Sequence, residues 1–513
     1  MVEIGDKSLT LDEIARIAYG REAVRLSAKS VERMHRSRRA VEEVLSRGDV
    51  VYGVNTGFGR LSDVAIAPNQ IRLLQRNLVL SHACGVGRPL SDPEVRAMLV
   101  LRANVLGLGF SGVRPDVAVL LTDLLNAGIS PIVPEKGSVG ASGDLAPLAH
   151  LSLPLIGEGE VTYQGKRFQS ADAFREAGLS TVQLEAKEGL ALLNGTQAIN
   201  AVGGLAIHRA LRVLRAANVA AAMSLEALLG TPTAFDDRIH AARPHPAQRR
   251  VAAALRAMLE NSEIRASHLK GDPRVQDAYS LRCVPQVHGA ALTALEHARS
   301  VFDVESGSVT DNPLIFCEEG GASASVLSGG NFHGAPLGLV LDYAAIAIAD
   351  LGGICERRID RLINPDLNES LPPFLTRHPG VSSGFMIAHV AAVSLLSECK
   401  VLSHPASVDN LPTSGGKEDH VSMGMTAALK FREMVGNVEQ IVAIELLCGA
   451  QGIDFRRPLR SGEGVEGAHT IVREASPALN EDRSMAPDID AVARAIRAGL
   501  FETLASDVPA RNS

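Results

Sequence analysis

Residues 197–229 read QAINAVGGLAIHRALRVLRAANVAAAMSLEALL, a nearly unbroken helical pattern with Leu205, His208 and Leu211–Leu214 along it. At 1.5 Å per residue, some 30 residues span roughly 45 Å. Similar spacing recurs at Pro244–Leu259, Gln286–Val304, Pro336–Ile363, Ser383–Leu402 and His420–Leu447. Several of these exceed the mean globular helix of about 12 residues. They predict a mainly all-α fold, a long central helical bundle with few short strands. Upstream, Asp12–Tyr19, Ser27–Ser46, Ile71–Cys84, Pro93–Leu108 and Val113–Asn126 read as helices of a smaller N-terminal lobe. Glu158–Ala177, polar and flanked by glycines, reads as a hairpin or excursion. The expected division is an N-terminal lobe over 1–196, the bundle over 197–478, and a C-terminal helix (Ile489–Leu500) with a tail over 479–513.

The apolar mass of the 513 residues is Ala, Leu, Val and Ile, with 4% aromatics and no Trp. That composition favours closely packed helices. The net charge of −7 is small for this length, and no dense basic run points to nucleic acid or anionic lipid. Asp342 and Asp350 flank Tyr343–Ala349, and Glu226 follows Ala220–Leu225, so no membrane span is predicted. Cys84, Cys283, Cys317, Cys355, Cys399 and Cys448 are dispersed, without metal-type spacing. They read as reduced thiols of a cytoplasmic protein. The first residues show no signal peptide.

Gly137-Ser138-Val139-Gly140-Ala141-Ser142-Gly143-Asp144 has three uses open to it. It can be a plain glycine-rich turn before a helix-like Leu145–Leu155. It can be a nest of N–H groups for an anion. It can also be a backbone bent until the Gly143 nitrogen reaches the Ala141 carbonyl. In that last case loss of water closes an imidazolone ring, and loss of a second water from Ser142 leaves an exocyclic methylidene, an electrophile no ordinary side chain supplies.

Other polar turns punctuate the helices. Tyr52 precedes two glycine turns in Tyr52–Gly59. It packs a loop or, with a depressed pKa, serves as a general base. Ser81-His82 offers a hydrogen-bonded interior histidine or a catalytic one. Asn194-Gly195-Thr196 suits a capped helix start. Gln276, Tyr279 and Arg282 fall at i, i+3 and i+6 and, if helical, share one broad face. They are a solvated edge, or an arginine fork for a substrate carboxylate. Glu418 stands at the start of the helix predicted from His420, where it favours the dipole or has a site role. Ser328–His333 leads into the long Pro336–Ile363 pattern, and His240, His245 and Pro246 read as loop residues.

Several motif classes fail. The glycine stretch lacks G-x-G-x-x-G spacing and follows no clear strand, against a dinucleotide site. Gly159–Lys166 has Arg167 where a phosphate loop needs Ser or Thr. There is no H-E-x-x-H, and Asp144 occupies the second glycine of a nucleophile elbow.

Taken in order, these turns resemble the aromatic amino acid ammonia-lyase family. Gly137–His150 is similar to its cofactor-forming segment throughout, and Val51–Gly59, Asn77–Gly85, Leu193–Thr196, Gln276–Val287, Asp311–Pro313, Leu327–His333 and His404–Met423 match in the same order. Ser81-His82 and Glu418–Met423 resemble the branch acting on histidine. The resemblance implies a fumarase/aspartase-type homotetramer with active sites shared between chains. It implies elimination of ammonia from L-histidine to trans-urocanate and a 4-methylidene-imidazol-5-one made autocatalytically from Ala141, Ser142 and Gly143, with no metal or diffusible cofactor. Tyr52 would remove the β-proton and Arg282 would bind the carboxylate. His82 and Glu418 would read the imidazole, with Glu418 also handling protons. Asn194, Gln276 and Tyr279 would orient ring and substrate, and Phe332 would pack at the ring. Asp144 is the candidate to assist dehydration. Gly334-Ala335, Gly415-Gly416-Lys417 and His288 depart from the family pattern and bear on substrate preference. A tyrosine or phenylalanine lyase or 2,3-aminomutase, and an inactive helical scaffold, are the alternatives.

Overall fold

Four long helices, Gln197–Ala227, Val284–Glu305, Ala335–Ile363 and Gly424–Asp454, contain 31, 22, 29 and 31 residues. The computed structural model describes residues 1–57, 59–61, 64–318 and 324–504. Phe58 of the Tyr52–Gly59 turn and the tail beyond residue 504 lie outside the described residues. No strand among the described residues is longer than four residues, and the strands form four small sheets. The mainly helical fold expected from the long apolar spacing is the fold observed.

By packing, the chain divides into two compact units. One comprises Met1–His208, Ala298–Asp342 and Pro405–Leu429, the other Arg209–His297, Tyr343–His404 and Lys430–Ser513. Each of the four long helices has residues in both. These units are discontinuous in sequence, whereas the expected division runs along the chain.

In the first unit, Val2–Ile4 pairs in parallel with Val24–Leu26 across the helix Leu11–Gly20. A capping box, Thr10 with Glu13, starts that helix. The helix Asp92–Gly107 is buried from Glu94 to its end and opens on a second capping box, Ser91 with Glu94. Polar Arg96 within it is 2% exposed and donates to the carbonyls of Ile17, Ala18 and Leu125. It thus satisfies the carbonyl ends of two neighbouring helices. Beneath the Tyr52 turn, Val54, Ile71, Val41 and Ile315 form a small apolar cluster. Each such side chain, once buried, contributes about 1.5–3 kcal/mol.

In the second unit, the fully buried Arg358 pairs with Glu445 at 2.5 Å, and Ser224 donates to the same carboxylate. His288, one of the departures from the family pattern, is buried beside this pair. Its Nδ1 lies 2.7 Å from Asn218 Oδ1, and burial with the neighbouring Arg358 holds it far below the usual histidine range.

Several expectations change. The glycine stretch does follow a strand, Pro134–Lys136, which pairs with Val86–Pro89. It is too short to show as a periodic pattern. His240 is a buried member of the helix Asp237–Ala241, and Pro246 opens the helix Pro246–Met258. Glu160–Tyr163 and Lys166–Gln169 form the hairpin expected in Glu158–Ala177. Ala335–Ile363 is long and apolar enough to cross a membrane by length and composition, but 61% of its apolar window is buried inside the protein.

Candidate active site

The loop after Pro134–Lys136 is built on glycine conformations. Gly137, Gly140 and Gly143 have φ of 136°, 67° and 73°, values unfavourable to other residues. At Gly143 space forbids a side chain as well: an added Cβ would lie 2.1 Å from the Gly195 carbonyl oxygen. The Gly143 and Gly195 backbones bridge in parallel, and Asp144 N donates to Gly195 O at 2.7 Å. The opposite side is held by Met423 N to Val139 O (2.9 Å), Gly334 N to Gly140 O (3.0 Å) and Ser422 Oγ to Gly140 O (2.9 Å). The loop is therefore clamped between Asn194-Gly195-Thr196 and Ser422-Met423.

Asp144 is fully buried. Its carboxylate accepts from Ser138 Oγ at 2.7 Å and from Ile199 N, in the first turn of Gln197–Ala227, at 2.8 Å. Burial outweighs these bonds and pushes the carboxyl up to about 7.

Ala141 and Ser142 line a cavity of about 680 Å³. Tyr52, His82, Asn194, Phe332 and Glu418 line it too. The Ser142 hydroxyl donates to Glu418 Oε1, while Thr413 Oγ1 holds Oε2 at 2.5 Å. Glu418 is not at a helix start: the helix begins at Gly424, after Met423 in a left-handed conformation (φ 52°). The carboxylate sits in a loop that bends back onto Thr413, so its partner is a hydroxyl rather than a helix dipole.

His82 ends the helix Ile71–His82. Its Nδ1 is 2.9 Å from the Leu78 carbonyl, which can only accept, so Nδ1 carries the proton and Nε2 is the open acceptor. Burial lowers its pKa and keeps the ring neutral, against the pull of Glu418. Tyr52 corrects a second expectation: its phenol is raised, not depressed. Burial is the largest cause; a Gly59 backbone bond opposes it, and the Glu418 and Asp311 carboxylates add to it. Asn194 Oδ1 is buried without a hydrogen-bond partner among the described residues, an acceptor available to a ligand.

Gln276, Tyr279 and Arg282 do not line this cavity. Nor do they share a helix face: only Tyr279–Arg282 is helical, a single turn, and Gln276 lies in a bend before it. Tyr279 is 70% exposed, and the Arg282 guanidinium stacks 4.5 Å from its ring centroid.

Sequence reasoning missed Thr413 and Asn312. Asn312 reaches the cavity wall and accepts from Gly329 N at 2.7 Å. It also missed a fully buried ion pair, Lys187 Nζ to Asp311 Oδ2 at 2.7 Å. Lys187 is left-handed at φ 73°, a conformation that marks it only in three dimensions. Lys417, flagged as a departure, lines the cavity beside Glu418.

The family model for aromatic amino acid lyases matches residues 9–474. A histidine ammonia-lyase from Sorangium cellulosum is 52% identical over 497 residues, 96% of each chain. The crystal structure of histidine ammonia-lyase from Trypanosoma cruzi superposes with a TM-score of 0.90 at 43% identity, covering 98% of this chain and 94% of that one. A tyrosine aminomutase from Streptomyces globisporus gives a TM-score of 0.92 at 36% identity, covering 98% of both. With its glycine-clamped Ala141-Ser142-Gly143 loop facing Tyr52, His82 and Glu418, the chain belongs to the aromatic amino acid lyase family.

Proposed function

We propose that this chain eliminates ammonia from L-histidine to give trans-urocanate, using a 4-methylidene-imidazol-5-one formed from Ala141, Ser142 and Gly143. The observation that carries the reading is one cavity wall: the Ser142 hydroxyl, the Glu418 carboxylate and a neutral His82 with an open Nε2. The loop fits the ring. Gly143 is packed where no side chain can stand, and Asn194, whose Oδ1 is an unfilled buried acceptor, lines the same cavity as Ser142. When present, the methylidene supplies an electrophile that makes the substrate amine a better leaving group.

The residues then divide the work. A neutral imidazole side chain donates one N–H, to Glu418 or to His82 Nε2, and donates to both acceptors once it is protonated. A phenyl ring would leave His82 Nε2 without a donor and Glu418 with the Thr413 hydroxyl alone once Ser142 has lost its own, at a cost of about 1–3 kcal/mol per unpaired polar group. Tyr52, as phenolate, takes the β-proton. Its phenol is held protonated by burial and two carboxylates, so a cation arriving nearby favours the reactive form. Phe332 packs at the ring, and Asn194 orients it.

Gln276, Tyr279 and Arg282 come from another copy of the chain. The exposure of Gln276 and Tyr279, with Arg282 half-buried beside Tyr279, supports this, as does the helix Met386–Leu402, where only Ala388, Ala392 and Cys399 are buried while Ile387, Val390 and Val401 face outward. A homotetramer covers such a face, and Arg282 there grips the substrate carboxylate. Six free cysteines suit a cytoplasmic setting.

Incubation with histidine, tyrosine and phenylalanine separately tests the reading. Urocanate and ammonia form from histidine, and a near-UV band in the native protein disappears in Ser142→Ala. Turnover of tyrosine but not histidine overturns the roles of His82 and Glu418. Absence of the band and of ammonia from all three overturns the whole.

A further inference from the structure

Arg102 sits in the middle of the buried helix Asp92–Gly107 and is 0% exposed. Its guanidinium reaches three acceptors. Nη1 donates to the Asn194 carbonyl at 2.9 Å and to Gln197 Oε1 at 2.6 Å, and Nη2 donates to the Ala191 carbonyl. Ala191 belongs to the helix Glu188–Leu193, and Gln197 opens the next helix. One planar fork thus spans both sides of the Asn194-Gly195-Thr196 turn. Gln197 Nε2 passes the contact on to Thr310 Oγ1 at 2.8 Å.

This cluster presses on Gly195. A Cβ there would lie 2.5 Å from Gln197 Oε1, 2.6 Å from Arg102 Nη1 and 2.7 Å from Thr310 Oγ1. On its other side, Gly195 O accepts from Asp144 N and occupies the space a Gly143 Cβ would need. Three layers are therefore in direct contact: the Arg102 fork, the Gly195 peptide, and the Gly143 backbone.

We propose that Arg102 is a positioning residue for cofactor formation: its fork holds the Gly195 peptide against Gly143 and so fixes the backbone that must close the ring. The proposal rests on the reading of Ala141-Ser142-Gly143 given above. Ring closure forms a bond from the Gly143 nitrogen to the Ala141 carbonyl carbon and expels that carbonyl oxygen as water. Loss of the Ser142 hydroxyl with its α-hydrogen expels a second water and leaves the methylidene. The balance is two waters released, with no oxidant. A Gly195 peptide free to retreat lets the Gly143 nitrogen relax away from Ala141. A guanidinium is suited to the brace because its donors diverge in one rigid plane, whereas lysine presents a point charge.

The test follows ring content in full-length protein by intact mass, as a deficit of two waters, and by near-UV absorbance. Arg102→Met is expected to form the ring about tenfold to hundredfold more slowly than the unaltered chain, with Arg102→Lys between them. A residue that only supports folding lowers the melting temperature but leaves the folded fraction fully ringed, and that outcome for Arg102→Met overturns the proposal. Should Arg102→Met not fold, Gln197→Ala removes one arm of the brace and is expected to slow ring appearance; an unchanged time course there overturns the proposal. If the unaltered chain shows no mass deficit, it is the underlying reading of the loop that falls.

Discussion

The Gly137–Asp144 loop and the Gln276–Arg282 segment, both given roles in the proposed function, are built in opposite ways. The loop is complete within one chain. Its geometry comes from backbone contacts on Gly195, Ser422 and Met423, and the Asp144 carboxyl beneath it is wholly buried. The segment presents side chains outward: Tyr279 is 70% exposed and Val275 98%. Its base is nonetheless anchored, with Asp277 accepting from Thr231 N at 2.7 Å and Arg274 donating to the Leu228 carbonyl at 3.0 Å. A backbone-built electrophile needs internal pressure, which one fold supplies. An arginine that grips a carboxylate needs only to be presented on a fixed base, and another chain can do that.

The contrast predicts different behaviour for variants on its two sides. The largest effect is expected at the cavity. Tyr52→Phe should lower kcat by about 10²–10⁴-fold, the usual range for a lost general base, while the near-UV band persists. In the unaltered chain, kcat/KM should rise with pH on the alkaline side, because the phenol is raised and its reactive form is the deprotonated one. A pH-independent Tyr52→Phe of normal activity breaks the assignment.

Complementation tests the segment. Arg282→Met and Tyr52→Phe chains, each nearly inactive alone, should recover part of the lost activity when co-expressed. Assemblies combining intact Tyr52 from one chain with intact Arg282 from another would then exist. No recovery above the two single variants would remove the shared site and put all the chemistry in one chain.

The smallest effect is on stability. Asp144 is raised from 3.8 to about 7 by burial. The folded state therefore holds this proton more tightly than the unfolded chain. Its contribution to stability is full below about pH 4 and is lost as pH rises through about 7. Asp144→Asn should flatten that part of the melting-temperature profile. An identical slope in the variant would show that the carboxyl ionises freely where it lies.

Much of this was legible in the residues. Runs such as Gln197–Leu229 betray long helices because one apolar period persists over many turns. Gly137, Gly140 and Gly143 betray the loop because each adopts positive φ. Other features depend on partners distant in sequence. Glu418 looked like a helix start, but Met423 and Gly424 set the helix later, and the bond to Thr413 is a property of the fold. A depressed Tyr52 would need a cation beside it; burial raises it instead, and the carboxylates that add to the shift lie 259 and 366 residues away in sequence (311 − 52 and 418 − 52). Arg102 and Arg96 interrupt an apolar helix and give no hint in sequence that their targets are the ends of other helices.

The contact between Gly143 and Gly195 also limits how the sequence can drift. A side chain at position 143 would strike a main-chain oxygen, which every residue at position 195 also possesses. Trimming a neighbour therefore cannot make room, and no second substitution rescues the first. A side chain at position 195 would strike Arg102, Gln197 and Thr310 together, at a φ of 148° that side chains rarely adopt, so these partners would have to shift and the backbone would be strained as well. The two glycines constrain each other through the main chain, independent of what the enzyme does with its substrate.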